Sequence, residues 1–438
     1  MARVKNAFCN AHIDVDDLFI TLPKGITIFD LEEHPDGEQR GLKLDKALYG
    51  LKQSPRLWFQ DLRHHLLSKG FTQGKRDSTL FKHRAKDGTL SYVLVYVDDI
   101  IITGPVRKYL DDIRDVLRER YVVDQYEPLQ SYLGISAVRT DSGGLQLSME
   151  AKVDDILAEF PVKVEPLAPR YTTPRRPHAD IWSHTSLDSL NTNEAYCLHN
   201  YRHLVGAINY LCTCIRVDIA LAMSKLSRHL KEPSPTDAKH LYQLVRYLAT
   251  RPSDGILFGR KHTGPALEVY SDSNFADPDD PQAFATSGTV VMYRGAPVAW
   301  RSKRQDGATD STHHAELFAL HQSLKMALAY RFLLEELELS SNGPTPIFVD
   351  NEAVHYTAYA ESIAFKNRHI KTRYFLVQDS VAKKEVTVPW MRGTHNPADL
   401  LTKALPAGDH FKHSDLILSG IAQDTPPKPS GRGGVQGY

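Results

Sequence analysis

Apolar and polar positions along this chain change rhythm repeatedly. From Leu57 to Leu67 the spacing is helical, with Trp58, Leu62, Leu66 and Leu67 on one side and Arg63, His64 and His65 elsewhere; Gly70 is a plausible stop. Ser91–Ile102 contains two apolar runs, Tyr92-Val93-Leu94-Val95 and Ile100-Ile101-Ile102, that read as a hairpin. Val106–Tyr121 returns to a charged amphipathic helix, so residues 1–160 read as mixed α/β. Pro161, Pro166, Pro169, Pro174 and Pro177 disfavour helix and central strand alike, which makes 161–195 a linker. Residues 196–260 read as helical, with Leu204, Ile208 and Leu211, then Ile219, Met223 and Leu226, in register. Residues 266–405 alternate strands (Leu267–Ser271, Thr289–Tyr293, Val298–Trp300, Ile347–Asp350) with a long helix whose Leu317, Leu320, Leu324, Leu328 and Phe332 form one stripe. The Pro/Gly-rich residues 425–438 are expected to be a disordered tail.

At 438 residues the chain holds two or three domains, and 42% apolar with 24% charged residues is ordinary for a soluble protein. Lys plus Arg and Asp plus Glu each number 53, so any nucleic-acid contact must come from local basic patches. Cys9, Cys197, Cys212 and Cys214 are too few and too badly spaced for a disulfide framework, and the C-x-C pair lacks further zinc ligands. That usage fits a reducing, intracellular setting. No apolar run approaches the roughly 18 residues of a membrane span, and the N-terminus has no signal-peptide profile.

Adjacent carboxylates at Tyr96-Val97-Asp98-Asp99, on the tip of the hairpin, repel one another and so favour a divalent cation; Asp-Asp is equally an ordinary turn composition. More motifs surround it. Lys5-Asn6-Ala7-Phe8 opens the chain, and Leu48-Tyr49-Gly50-Leu51-Lys52-Gln53-Ser54-Pro55 lies between. Downstream come Tyr270-Ser271-Asp272, Ala315-Glu316-Leu317, Val349-Asp350-Asn351 and Asn396-Pro397-Ala398-Asp399-Leu400-Leu401-Thr402-Lys403. In this order the set resembles the polymerase polyprotein of Ty1/copia-type retrotransposons, from about residue 3 to about residue 406. The resemblance implies an α+β / α/β chain: a reverse transcriptase palm and thumb, a helical connection, and a ribonuclease H-like mixed five-stranded sheet with flanking helices.

For the ribonuclease H part the resemblance implies that Asp272, Glu316, Asp350 and Asp399 converge. Asp272 lies across the strand from Leu267, Val269 and Ser271, and Glu316 sits on the first turn of its helix. Asp350 ends a strand, and Asp399 begins the final helix. Such termini also suit capping residues. Converged, the four would hold two Mg2+ or Mn2+ ions roughly 4 Å apart and cleave RNA in an RNA–DNA hybrid. His395 resembles a mobile proton-shuttling histidine, with a solvated loop residue the equal reading. His314 stands where the family usually has Glu; it reads as an exposed helix-start residue or an extra ligand. Arg301, Lys303, Arg304 and Gln305, in the place of a Ser-Lys-x-Gln element, and Lys366, Arg368, His369, Lys371 and Arg373 would touch phosphates.

In the polymerase half the resemblance assigns Gln53 and Tyr49 to the nucleotide pocket and Asp98 and Asp99 to metal. The third carboxylate belongs to an Asp-Val-Lys-x-Ala-Phe pattern, but here Arg3 holds that position, a cation where a ligand is required. Asp14, Asp16 and Asp17 would have to fold back to replace it. With the fingers also expected to be missing, the reading is lost DNA synthesis on template RNA and primer, with hybrid cleavage retained. A non-catalytic nucleic-acid-binding remnant, or a pseudogene product, is the alternative. Without a third ligand the hairpin tip should be exposed, with neither Asp98 nor Asp99 in a buried salt bridge.

Overall fold

The structure, a computed structural model, describes residues 1–21, 41–124, 127–167, 173, 187–277, 280, 282–339, 343–360 and 368–419, the side chains of 368–372 excepted. It divides into two compact units, Met1–Gln130 and Ser131–Tyr438. The expected tail at 425–438, Lys366, and most of the proline-rich stretch lie outside the described residues.

In the first unit, β1 (Ala2–Arg3) is followed by the two-stranded ribbon β2 (Phe19–Thr21) and β3 (Gly41–Lys43). Next come α1 (Ser54–Ser68), β4 (Thr72–Gln73), β5 (Leu80–Arg84), β6 (Leu90–Tyr96), β7 (Asp99–Thr103) and α2 (Arg107–Arg118). An antiparallel sheet runs in the order β1-β7-β6-β5-β4. Alternation along β6 sends Val93 and Val95 inward, where Ile100 and Ile102 of β7 meet Trp58, Leu62 and Leu66 of α1 and Leu110, Ile113 and Leu117 of α2. Pro55 at the start of α1 and Gly70 (φ 84°) past its end bracket that helix. His65, expected off the apolar stripe, is buried with its Nε2 hydrogen-bonded to the Val116 carbonyl at 2.7 Å. That single bond makes an inward imidazole acceptable.

The second unit begins with β8 (Ser131–Tyr132), β9 (Ile135–Arg139), β10 (Leu145–Ser148) and α3 (Glu150–Ala158). Four helices follow: α4 (Thr192–His199), α5 (Tyr201–Cys214), α6 (Ala220–Leu226) and α7 (Pro235–Thr250). After β11 (Gly255–Phe258) come β12 (Leu267–Asn274), β13 (Thr286–Tyr293), β14 (Ala296–Arg304), α8 (Thr312–Glu336), β15 (Thr345–Phe348), α9 (Glu352–Tyr359), α10 (Arg368–Ala382), β16 (Val386–Thr387) and α11 (Ala407–Leu418). The first break thus falls at Gln130 rather than near residue 160. Its cause is β10, which pairs with β11 from Leu145↔Phe258 to Ser148↔Gly255 and carries residues 131–160 into the helical region.

The central sheet has the order β14-β13-β12-β15-β16, antiparallel at β14-β13-β12 and parallel at β12-β15-β16. This is the mixed five-stranded sheet expected from the sequence. On one face Leu267, Val269 and Val291 pack against Leu317, Leu320 and Leu324 of α8. On the other, Val290 and Met292 share a core with Ile208, Leu211, Leu244 and Leu248. The segment 196–260 is therefore packed into the same core as the sheet. No helix among the described residues is long and apolar enough to cross a membrane.

Candidate active site

Asp272 is the sixth residue of β12, inside the strand rather than at its end, and is fully buried. Its face is the one where Gly288, its partner on β13, lets the segment carrying Ala398, Leu401 and Thr402 approach; a Cβ at Gly288 would meet the Ala398 carbonyl at 2.9 Å. Glu316 lies on the second turn of α8, because Ser311 caps that helix by accepting from the His314 N–H. Asp350 follows β15, and Asp399 lies in a short 3-10 helix, Pro397–Leu401, not at the start of α11. Asn396 sets that turn: its side chain accepts from Ala398 N and donates to the Ser271 carbonyl at 2.9 Å.

Ligand oxygens of Asp272, Glu316 and Asp350 lie within 4.8 Å of one another. Asp399 joins them through Lys403, whose Nζ donates to Asp399 Oδ1 at 2.7 Å and Asp272 Oδ1 at 3.2 Å. The Thr402 hydroxyl donates to Asp272 Oδ2. The electrostatics follow from crowding. Burial, then repulsion from Asp272 and Asp350, raises Glu316 well above the usual carboxylate range. Burial and Asp272 also raise Asp350. Asp399 is pushed up to about 7 by burial and Asp272, against the pull of Lys403. Glu316 Oε2 is buried with no hydrogen-bond partner. A cluster of hard oxygen donors that raise one another's proton affinity, one of them unpartnered, fits a divalent cation such as Mg2+ or Mn2+.

Around this centre the expected residues separate. His395 is exposed, 3.5 Å from Thr394 Oγ1, in a loop whose Gly393 abuts Asp350: a Cβ there would meet Asp350 Oδ2 at 3.0 Å. His314 pairs with Asp310, and His313 Nε2 sits 3.0 Å from Thr357 Oγ1, so neither is turned to the carboxylates as a ligand. Arg301 and Lys303 are exposed, and Lys303 pairs with Asp306. Arg304 is engaged by Asp280 and Gln282 and lies over the Phe284 ring. Gln305 is a correction. It is 2% exposed and its Nε2 donates to Ser287 Oγ and the Ala315 carbonyl, bracing β13 against the start of α8 instead of facing solvent. Arg373 is exposed, its guanidinium 4.2 Å from the Phe318 ring centre; the His369, Lys371 and Arg368 side chains lie outside the described residues. Thr402 and Lys403 were absent from the expected site. Their signal was Lys403 four residues after Asp399, one helical turn away.

In the first unit the hairpin brings Asp98 and Asp99 to the end of β6 and β7, with Val97 at φ 53°, a left-handed conformation costly for a β-branched residue. Trp58 Nε1 holds the Val97 carbonyl at 2.7 Å. Arg3 is the register partner of Asp99, and its Nε donates to Asp99 Oδ1 at 2.9 Å. Asp99 is 8% exposed. The expectation of two solvated carboxylates with no buried salt bridge is therefore wrong for Asp99, whose buried carboxylate pairs with Arg3. Asp14 pairs with Arg56 instead of folding back. Tyr49 is exposed, its ring centre 4.5 Å from that of Phe8 at a tilt of 44°, and burial and Asp98 raise its hydroxyl pKa. Gln53 caps α1 by position, with a half-buried side chain.

Residues 2–168 match the reverse transcriptase (RNA-dependent DNA polymerase) family. Over 405 residues, 92% of its length, the chain is 33% identical to the retrovirus-related Pol polyprotein from transposon RE1 of Arabidopsis thaliana. The chain belongs to the Ty1/copia-type Pol family. A second member, the retrovirus-related Pol polyprotein from transposon TNT 1-94 of Nicotiana tabacum, is 26% identical over 94% of the chain. The chain spans about a quarter of the length of these relatives, 26% and 30% respectively. Among solved structures, the foamy viral protease-reverse transcriptase in complex with RNA/DNA hybrid is similar to 80% of the chain at 16% identity and TM-score 0.43, over 39% of that protein.

Proposed function

We propose that the second unit of this Pol family member is a divalent-metal-dependent ribonuclease H that cuts the RNA strand of an RNA–DNA hybrid, and that the first unit no longer synthesises DNA. The observation that carries the first claim is the approach of Asp272, Glu316 and Asp350 to within 4.8 Å, with Asp399 tied in by Lys403. Asp272, Glu316, Asp350 and Asp399 would hold the metal. Mg2+ or Mn2+ bound there supplies a lowered pKa for the attacking water and charge stabilisation for the leaving 3′ oxygen.

The chain's own residues do the rest. Asp272 is immobilised by Thr402 and by the β12 ladder, so its carboxylate is preorganised. Gln305 fixes the first turns of α8 and with them Glu316. Gly393 allows the 393–395 loop to close on Asp350 without a side-chain clash, keeping His395 at the rim, where it can exchange a proton with solvent. Arg301, Lys303 and Arg373 present positive charge for phosphates, which positions a duplex without reading its sequence. Loss of polymerisation rests on Arg3, whose guanidinium fills the place of a carboxylate and engages Asp99. Purified protein should degrade labelled RNA in a hybrid, but not the same RNA single-stranded, and should fail to extend a primer on RNA. Primer extension would overturn the second claim; binding of the hybrid without cleavage would leave a nucleic-acid-binding remnant.

A further inference from the structure

The four carboxylates are not equivalent as cation sites. Among the described residues no cation is paired with Glu316 or Asp350, and Glu316 Oε2 is buried without a partner. Between Asp272 and Asp399 there already is one: the Lys403 ammonium, 3.2 Å and 2.7 Å from the two carboxylates. Both pairs share Asp272, whose oxygens each carry one hydrogen bond, from Lys403 and from Thr402. A carboxylate oxygen accepts more than one bond, so Asp272 keeps room for an ion on the Glu316 side. On the Asp399 side a second ion would have to displace an ammonium held by two carboxylates.

We propose that Lys403 is a built-in cation occupying the second metal position, so that the substrate-free protein takes up one divalent ion, on Asp272, Glu316 and Asp350, and not two. This rests on the ribonuclease H reading above and specifies its metal stoichiometry. Two features support it. Lys403 lies four residues after Asp399, just past the end of the 3-10 helix, and its backbone N–H donates to the Asp399 carbonyl at 2.9 Å, so the pair forms locally and needs no tertiary rearrangement. Lys403 is also 37% exposed at its side chain, which gives its flexible stem a route out when a phosphodiester arrives. The ammonium thus prevents the Asp272–Asp399 repulsion that an empty position would leave in the resting protein.

Mn2+ binding to the full chain, read from the electron paramagnetic resonance of free Mn2+, tests this without recourse to activity. Counts are taken as the difference from an Asp272→Asn protein, so that ions bound elsewhere cancel. The expected difference is about one ion for the unmodified chain, about one for Lys403→Arg, and about two for Lys403→Met. A difference of about two for the unmodified chain overturns the proposal, whether or not Lys403→Met folds. So does a Lys403→Met protein that folds and still binds one. If the unmodified chain shows no difference from Asp272→Asn and leaves the hybrid intact, the ribonuclease H reading fails, and this inference with it. Two ions together with a cleaved hybrid would sink only the role of Lys403.

Discussion

Arg3 ties β1 to the carboxylate end of the β6–β7 hairpin with one side chain. Its guanidinium is 57% exposed and reaches the nearly buried Asp99, so the pair alone is worth little more than about 1 kcal/mol. Its replacement by a carboxylate changes more than that pair, since it puts three negative groups at one hairpin end. Arg3→Asp should lower the thermal midpoint in EDTA by a few degrees and make that midpoint rise with added Mg2+, which the unmodified first unit should not do. An Arg3→Asp protein insensitive to Mg2+ would mean that Asp98 and Asp99 no longer form a ligand pair. Asp399 gives a second single-residue expectation. An unfolded Asp titrates near 3.9, whereas the folded ion-free site holds the Asp399 proton up to about 7. The folded chain binds the extra proton, so stability is fully present below pH 4 and is lost as pH rises through 7. Glu316 and Asp350 are shifted in the same direction. In EDTA the thermal midpoint should fall between pH 5 and pH 8, less steeply in Asp399→Asn, and Mg2+ at pH 8 should restore it. An ion-free midpoint that climbs over this range, with the same slope in Asp399→Asn, would contradict the crowding of the carboxylates.

Elements, more than residues, were legible in the sequence. The α1 stripe, the β6–β7 hairpin and α8 announce themselves by period, because each buries one face against a neighbour. Asp272, Glu316 and Asp350 were legible through the motifs that resemble the Ty1/copia-type family, since their places beside apolar runs suit capping residues as well. The Lys403–Asp272 and Gln305–Ser287 bonds were not: the partners are distant in sequence, and beyond the four-residue spacing of Asp399 and Lys403 no periodic signal marks them. The same holds for the network joining α5–α7 to α11. Arg216 is 1% exposed and hydrogen-bonds Asp218 through Nε at 2.9 Å and a terminal nitrogen at 2.7 Å; Tyr247 donates to the same Asp218 and meets His410 of α11 at 3.1 Å. Removing one partner of a buried pair strands the other charge. Asp218→Ala should therefore cost about 3–5 kcal/mol in chemical denaturation. A cost below about 1 kcal/mol would show that water or Asp254 takes over the guanidinium.

At the scale of the whole molecule, the sequence suggested a helical connection and a separate ribonuclease H-like domain. In the structure Ile208, Leu244 and Leu248 share a core with Val290, Met292 and Leu401, and residues 131–148 add strands to the same unit. Period and proline density show where elements end, not which of them share a core, and so this continuity was hidden. Residues 266–419 expressed alone should consequently be less stable than 131–419, with exposed apolar surface detectable by dye binding. Equal midpoints for the two would show that the helices are dispensable. The central claim is that four carboxylates drawn from separate elements of this unit hydrolyse RNA paired to DNA with the help of a divalent ion. The most direct measurement follows a 5′-labelled RNA annealed to DNA, incubated with the full chain in Mg2+, in EDTA, and with Asp272→Asn in Mg2+. The expected result is RNA fragments ending in a 3′-hydroxyl in the first case and intact RNA in the other two. Intact RNA throughout, or cleavage that persists in EDTA or in Asp272→Asn, would contradict the account.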